Sequence, residues 1–218
     1  MDLKYILKNR HSTRDFSEKK VDPLLIKKIV SLAQTSPSWT DTQPIHVYCS
    51  SGKSLKNIKQ AYLKRSQEGK HGNPDLKTFR RSEWDAKSQL NMKQWRHDIV
   101  HHFPTFDESH EALTAADNGL NNAPVVLYLT IPKKTPDWSV LDTGIFAQSL
   151  MLAATDEGVD SLITYHSVRF PDILRENLNI PNNERIIIGI ELGYASKSRI
   201  NSFRSQRENI DDILTYIN

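Results

Sequence analysis

The sequence predicts an α+β fold, a central mixed β-sheet with helices packed on both of its faces. Three observations predict it. Helical and strand patterns alternate along the chain instead of segregating into blocks. Two strand segments, Val125–Ile131 and Arg185–Tyr194, are nearly continuous apolar runs, the pattern of strands covered on both sides. One helix, Asp142–Ala154, is apolar on almost every side, so it belongs in the interior.

Taken in order, the chain opens with a short apolar-periodic segment, Leu3, Ile6 and Leu7. Asp22-Pro23 then starts a helix: Asp22 is suited to the N-cap, Pro23 to the first turn, and Ile26, Ile29, Val30 and Ala33 recur at helical spacing. Ser36-Pro37 ends it, because a residue before proline resists the helical conformation. Ile45, Val47 and Cys49 alternate with His46 and Tyr48 as a strand. Ser54 caps a helix carrying Leu55, Ile58 and Tyr62 on one face. From about 64 to 121 the pattern is weak and polar, and reads as a helical insertion over the core. After the strand at Val125 and the apolar helix, Leu162–His166 reads as a strand end and loop, and Pro171–Arg175 as the start of a short helix. The stretch from 201 to 218 reads as a C-terminal arm, with Ile210, Ile213 and Leu214 its apolar pattern. One domain spanning 1–218 accommodates all of this.

Composition narrows the function. Among 218 residues, Lys and Arg exceed Asp and Glu by only three and are interspersed with them, which argues against nucleic acid. A single cysteine excludes an intrachain disulfide framework and a cysteine-rich zinc site, and fits a reducing compartment. There is no basic-then-apolar leader and no bilayer-length apolar run, so no membrane partner is expected and the cytoplasm is the default. Neither a Gly-x-Gly-x-x-Gly fingerprint nor a Walker loop is present. His97, His101 and His102 lack the third ligand and the glutamate of a zinc-protease helix, and read as solvated or capping residues rather than a metal site.

Two stretches carry chemistry. Arg10-His11-Ser12-Thr13-Arg14 puts two guanidiniums and two hydroxyls within five residues. Guanidinium forks match phosphate oxygens, so a phosphate there would be held by side chains rather than by a glycine loop. Ser36-Pro37-Ser38-Trp39-Thr40-Asp41-Thr42-Gln43-Pro44 has no aliphatic side chain and is stiffened by prolines, a suitable place for a polar ligand. Far along the chain, Arg204 and Arg207 bring two more guanidiniums.

Arg-His-Ser-Thr-Arg, a helix, then Ser-Pro-Ser-x-x-x-Thr-Gln-Pro leading into a strand together resemble the FMN-dependent nitroreductase family. The resemblance implies an intertwined homodimer binding FMN, with the phosphate held by Arg10, Ser12, Arg14 and Arg207, His11 beside them, and Arg204 a weaker contributor. It implies that Pro37, Ser38, Trp39, Asp41 and Gln43 touch the flavin, partly from the second subunit, and that Tyr165 and His166 lie at its reactive edge through their backbone. The apolar helix would pack at the dimer interface. NADH or NADPH would deliver hydride to N5, and a nitroaromatic, quinone or similar small-molecule acceptor would then take the electrons at the same place, giving ping-pong kinetics. No protein side chain need be catalytic. Asp41 stands where the family usually has Asn; a carboxylate only accepts, so it either accepts from the ring or makes reduction costlier. The other readings are a flavin- or nucleotide-binding regulatory protein without turnover, and a nucleic-acid binder using the basic segments Lys56–Lys70 and Lys77–Arg96.

Overall fold

The computed structural model describes residues 2–217. Helix α1 (Leu3–Asn9) buries only Ile6 and leaves Leu3 and Leu7 exposed. In α2 (Pro23–Ala33) the Asp22 carboxylate accepts from the Leu24 N–H at 2.8 Å with Pro23 in the first turn, so the helix starts where the sequence signals it. Strand β1 (His46–Ser51) leads into α3 (Gly52–Gln67), which buries Leu55, Ile58 and Tyr62. The weakly patterned insertion forms α4 (Ala86–His101), capped by Asp85, and α5 (Phe106–Asn118), capped by Thr105. Then follow β2 (Val125–Pro132), α6 (Trp138–Asp156), β3 (Asp160–Thr164), α7 (Pro171–Leu178) and β4 (Glu184–Gly193).

The strand order is β1-β2-β4-β3. The α+β class holds, with one refinement: the neighbouring strands pair antiparallel throughout, and the parallel component of the expected mixed sheet is the isolated bridge between Ser12 and Ser161. Side chains alternate across the sheet. Val125, Leu127, Leu129, Ile190 and Leu192 pack with Ile29 and Ala33 of α2 and with Phe146, Leu150 and Ala154 of α6. Val126, Tyr128, Leu162 and Ile186 pack on the other face with α3 and with Ile173 and Leu174 of α7. Two covered faces explain why β2 is buried along its length up to Pro132.

Helix α6 departs from the expectation of full burial. Its inner face is buried, but Leu141 is 53% exposed, and Gly144 and Gln148 on the same stripe are exposed too. Within one chain this apolar helix has an uncovered side. Among the described residues the C-terminal arm and its approach hold only 3-10 turns, at Arg199–Ser202 and Ile210–Asp212, and the arm exposes Ile210, Ile213, Leu214, Tyr216 and Ile217.

Candidate functional site

The two ends of the chain meet beside β3. Thr13 N–H donates to the Ser161 carbonyl at 3.1 Å, Phe16 N–H to Asn121 O at 2.9 Å and Ser17 N–H to Tyr194 O at 2.8 Å. Gly193 makes this possible, since a Cβ there would lie 2.7 Å from Pro124 Cδ and 2.8 Å from Phe16 Cδ1. Asn201, almost buried, completes the join. Its Oδ1 accepts from the backbone N–H of Arg14 (2.8 Å) and Asp15 (3.1 Å), and its Nδ2 donates to Asp15 O at 2.7 Å. No sequence signal marked Asn201; an asparagine in a polar loop is unremarkable until its partners are known. Asn201→Ala should cost about 1–3 kcal/mol, because it orphans two backbone donors, and should weaken phosphate binding with it; urea melts and cofactor titration would check both.

Around that join guanidiniums face each other in two pairs, Arg10 with Arg207 and Arg14 with Arg204. Burial first, and the Arg207 charge second, pull Arg10 below its ordinary value; burial and then Arg204 do the same to Arg14. Arg14 Nη1 donates to Ser12 O at 3.3 Å and its guanidinium lies near Trp95 and Phe203, 5.8 and 5.9 Å from the ring centroids. Arg204 and Arg207 donate only to nearby loop groups, including Asn201 O at 2.7 Å and Ser205 Oγ at 2.8 Å. Among the described residues none of the four pairs with a carboxylate. A converging cationic cluster with no counter-charge fits a dianionic phosphate monoester, and so it fits FMN. His11 Nδ1 lies 2.8 Å from Asn9 O. A cavity of about 530 Å³ adjoins the cluster between α4 and the arm, bounded by Asn91, Trp95, Arg207 and Glu208.

The 36–44 loop is held elsewhere, on α6. Trp39 N–H donates to the buried Asp142 carboxylate (3.1 and 3.2 Å), Ser36 Oγ to Ser149 Oγ (2.8 Å), and the Trp39 ring stacks on Trp138 at 4.7 Å. Ser38 Oγ accepts from the Gln43 N–H at 2.9 Å, and Asp41 Oδ1 from Gln43 Nε2 at 2.9 Å. Thr40, Asp41 and Gln43 have φ of 45°, 58° and 45°. Asp tolerates that left-handed backbone much as Asn does, which gives residue 41 a local reason to be one of the two. A small cavity of about 90 Å³ opens between Pro37, Ser38, Gln43, Ile45 and Phe146. Asp142, Trp138 and Ser149, which anchor the loop, were not singled out in the sequence. None of the hydrogen bonds of this loop reaches the guanidinium cluster.

Tyr165 and His166 follow β3, whose first residues flank Ser12. Tyr165 is partly exposed. His166 N–H donates to Thr164 Oγ1 at 3.2 Å, and the ring turns towards α5, with Nε2 3.6 Å from Asp117 Oδ2 and Nδ1 buried without a partner. Burial pulls His166 below its ordinary value despite Asp117. Of the three histidines on and just after α4, His97 stacks on His101, and His102 Nε2 lies 2.8 Å from Ser202 Oγ. Among the described residues no cluster of three His, Cys, Asp or Glu side chains is arranged to hold a metal.

An antiparallel sheet covered by helices on both faces, with guanidiniums from both chain ends brought beside β3, is the frame in which the family match falls: the chain belongs to the nitroreductase family, whose family model matches residues 7–194. A 4-nitrobenzoate reductase of Pseudomonas putida is 28% identical over 214 residues, covering 95% of this chain and 92% of that protein. The FMN and NADPH-dependent nitroreductase of Sphigopyxis sp. strain HMH superposes over 100% of both chains with a TM-score of 0.90 at 20% identity. The FMN-dependent nitroreductase of Mycobacterium smegmatis, solved with NADPH, gives a TM-score of 0.89 at 24% identity over 99% of this chain and 97% of that one.

Proposed function

We propose that this protein is an FMN-dependent oxidoreductase that takes electrons from NADH or NADPH and passes them to nitroaromatic, quinone or similar small acceptors. The observation that carries it is the uncompensated guanidinium cluster of Arg10, Arg14, Arg204 and Arg207. Those residues hold the cofactor phosphate, Ser12 adds a hydroxyl, and His11 borders them. Bound FMN supplies the redox chemistry. Pro37, Ser38, Trp39, Asp41 and Gln43 shape one wall of the ring pocket, and the Tyr165–His166 turn offers its backbone at the ring edge. No side-chain acid or base is needed in a catalytic role, because the protein's part in this reaction is to orient and shield. The purified protein should be yellow, and NADPH or NADH should bleach it until a nitroaromatic restores the colour. A yellow protein that neither donor bleaches would favour the regulatory alternative.

The acceptor is a small molecule, and among the described residues no helix is long and apolar enough to cross a membrane. The free thiol of Cys49 is compatible with the cytoplasm, where we place the protein. Asp41→Asn keeps the left-handed turn and the acceptor for Gln43; an increase in flavin midpoint potential would place the carboxylate beside the ring, and an unchanged value would remove it.

The working unit in this reading is a homodimer. The exposed stripe of α6, flanked by the exposed Trp39–Trp138 stack, supports it, as does the separation of the 36–44 loop from the guanidinium cluster within one chain. Gly144 supports it too. Glycine inside a helix costs roughly 0.5–1 kcal/mol relative to alanine, yet apart from the adjoining backbone of its own helix nothing lies within 4 Å of a Cβ placed there. A second copy approaching that spot explains the glycine. Gly144→Leu should therefore leave the monomer folded but halve the mass seen by light scattering and reduce FMN retention.

A further inference from the structure

We propose that the groove over α4 recognises the 2′-phosphate of the dinucleotide donor and so selects NADPH over NADH; this rests on the flavoenzyme reading above. The groove encloses about 540 Å³, within the range of small-ligand sites. Arg81, Lys93 and Arg96 surround it, and Ala86, Leu90 and Met92 line it. Lys93 and Arg96 share a helix face at i and i+3. Arg81 reaches in from the 3-10 turn Arg81–Glu83 that precedes the helix.

None of these three cations forms an ion pair among the described residues. The neighbouring acids are committed elsewhere: Glu83 accepts from the Arg80 N–H, and Asp85 accepts from Ser88 as the helix cap. Three free cations thus border an apolar floor on which Leu90 is 66% exposed. A group carrying close to two negative charges, attached to a flat, weakly polar body, is the complement of that arrangement. A 2′-phosphorylated adenosine meets it; a benzoate carries one charge and is small for the groove. NADH would present only a ribose hydroxyl to three cations. Met92 lines both this groove and the cavity bounded by Trp95 and Arg207, so the adenosine end would lie next to the cofactor cradle without occupying it.

Calorimetric titration of the FMN-loaded protein with adenosine 2′,5′-bisphosphate and with 5′-AMP tests this. The bisphosphate should bind on the order of tenfold tighter or better, the size of one or more charge-assisted contacts. Arg81→Gln and Arg96→Gln should each erode that difference, Arg96→Lys should restore part of it, and the ratio of kcat/KM for NADPH to that for NADH should fall in parallel. Equal affinity of the wild type for the two nucleotides, or discrimination that survives both glutamine variants, would overturn the proposal. So would a result in which 4-nitrobenzoate, and not the bisphosphate, is the compound whose binding Arg96→Gln abolishes. The visible spectrum reports FMN uptake separately: a colourless protein that still discriminates the nucleotides would sustain the groove and sink the flavoenzyme reading.

Discussion

Arg10→Gln is expected to weaken FMN binding by roughly one to two orders of magnitude, and combining it with Arg207→Gln should abolish retention of the cofactor through a desalting column. Each substitution removes a charge-assisted contact to phosphate, worth about 1.5–3 kcal/mol. The same substitutions should not harm the cofactor-free fold. The Arg10 side chain has no hydrogen-bond or ion-pair partner among the described residues, and the Arg207 charge already works against its own, so losing either relieves repulsion. The expected signature is therefore opposed: affinity down, thermal midpoint of the FMN-free protein unchanged or up. Arg14 is a poorer probe, because it also donates to Ser12 O and lies against Trp95 and Phe203. Fluorescence quenching of FMN and melting of the cofactor-free protein read the two quantities independently. An FMN affinity unaffected by Arg10→Gln would take the phosphate away from this cluster. Falling affinity together with a falling melting point would reduce Arg10 to a structural residue.

Why the cluster was legible while its frame was not follows from the kind of information each needs. Arg10, Ser12 and Arg14 are neighbours in sequence, so their chemistry shows without a fold. Adding Arg204 and Arg207 needed the family resemblance, because proximity across nearly two hundred residues has no local signature. Asn201, which physically joins the two ends, has neither. The covered strands and the Asp22-Pro23 helix start were legible because apolar runs and capping chemistry act locally. Helix α4 was hard to read because only Ile99 of it is fully buried, leaving little apolar period to detect. The outer side of α6 was misjudged for a related reason: apolar residues all round a helix say that every side is covered, not that a single chain does the covering. The turn at Leu120, Asn121 and Asn122, with φ of 47°, 51° and 59°, falls at the end of the weakly patterned insertion, where no pattern marked it. Two asparagines suit left-handed backbone, whereas Leu120 there is strained and is held by its full burial in the core.

That turn presents Asn121 to Glu191, and the pair sets the second large expectation: stability should fall as pH rises towards 8, and Glu191→Gln should remove the fall. Glu191 lies in β4 opposite Val126 and Leu162, fully buried. Its Oε2 accepts from Asn121 Nδ2 at 2.7 Å and Oε1 has no partner. Burial is the main cause that pushes its carboxyl from 4.5 up to about 8; the Asn121 bond and the Lys59 charge pull the other way, and Asp117 pushes it further up. Lys59 is itself lowered by burial and donates to Ala123 O at 2.8 Å instead of to the carboxylate. Between these two values the folded chain holds a proton that the unfolded chain has released. The contribution is fully present below the unfolded value and is lost as pH climbs through the folded one, at about 1.4 kcal/mol per pH unit. For a chain of this size that is roughly 3–5 °C of melting temperature per unit. The low value of His166 acts with the opposite sign, adding stability as pH rises towards its ordinary 6.5, so the clean window lies between about 6.5 and 8. Glutamine keeps a neutral acceptor for Asn121 and cannot ionise, so the variant's melting curve should be flat across that window and cross above the wild type by pH 8. Parallel pH profiles for the two proteins would mean that Glu191 is already ionised in the folded state, with Lys59 drawn round to meet it.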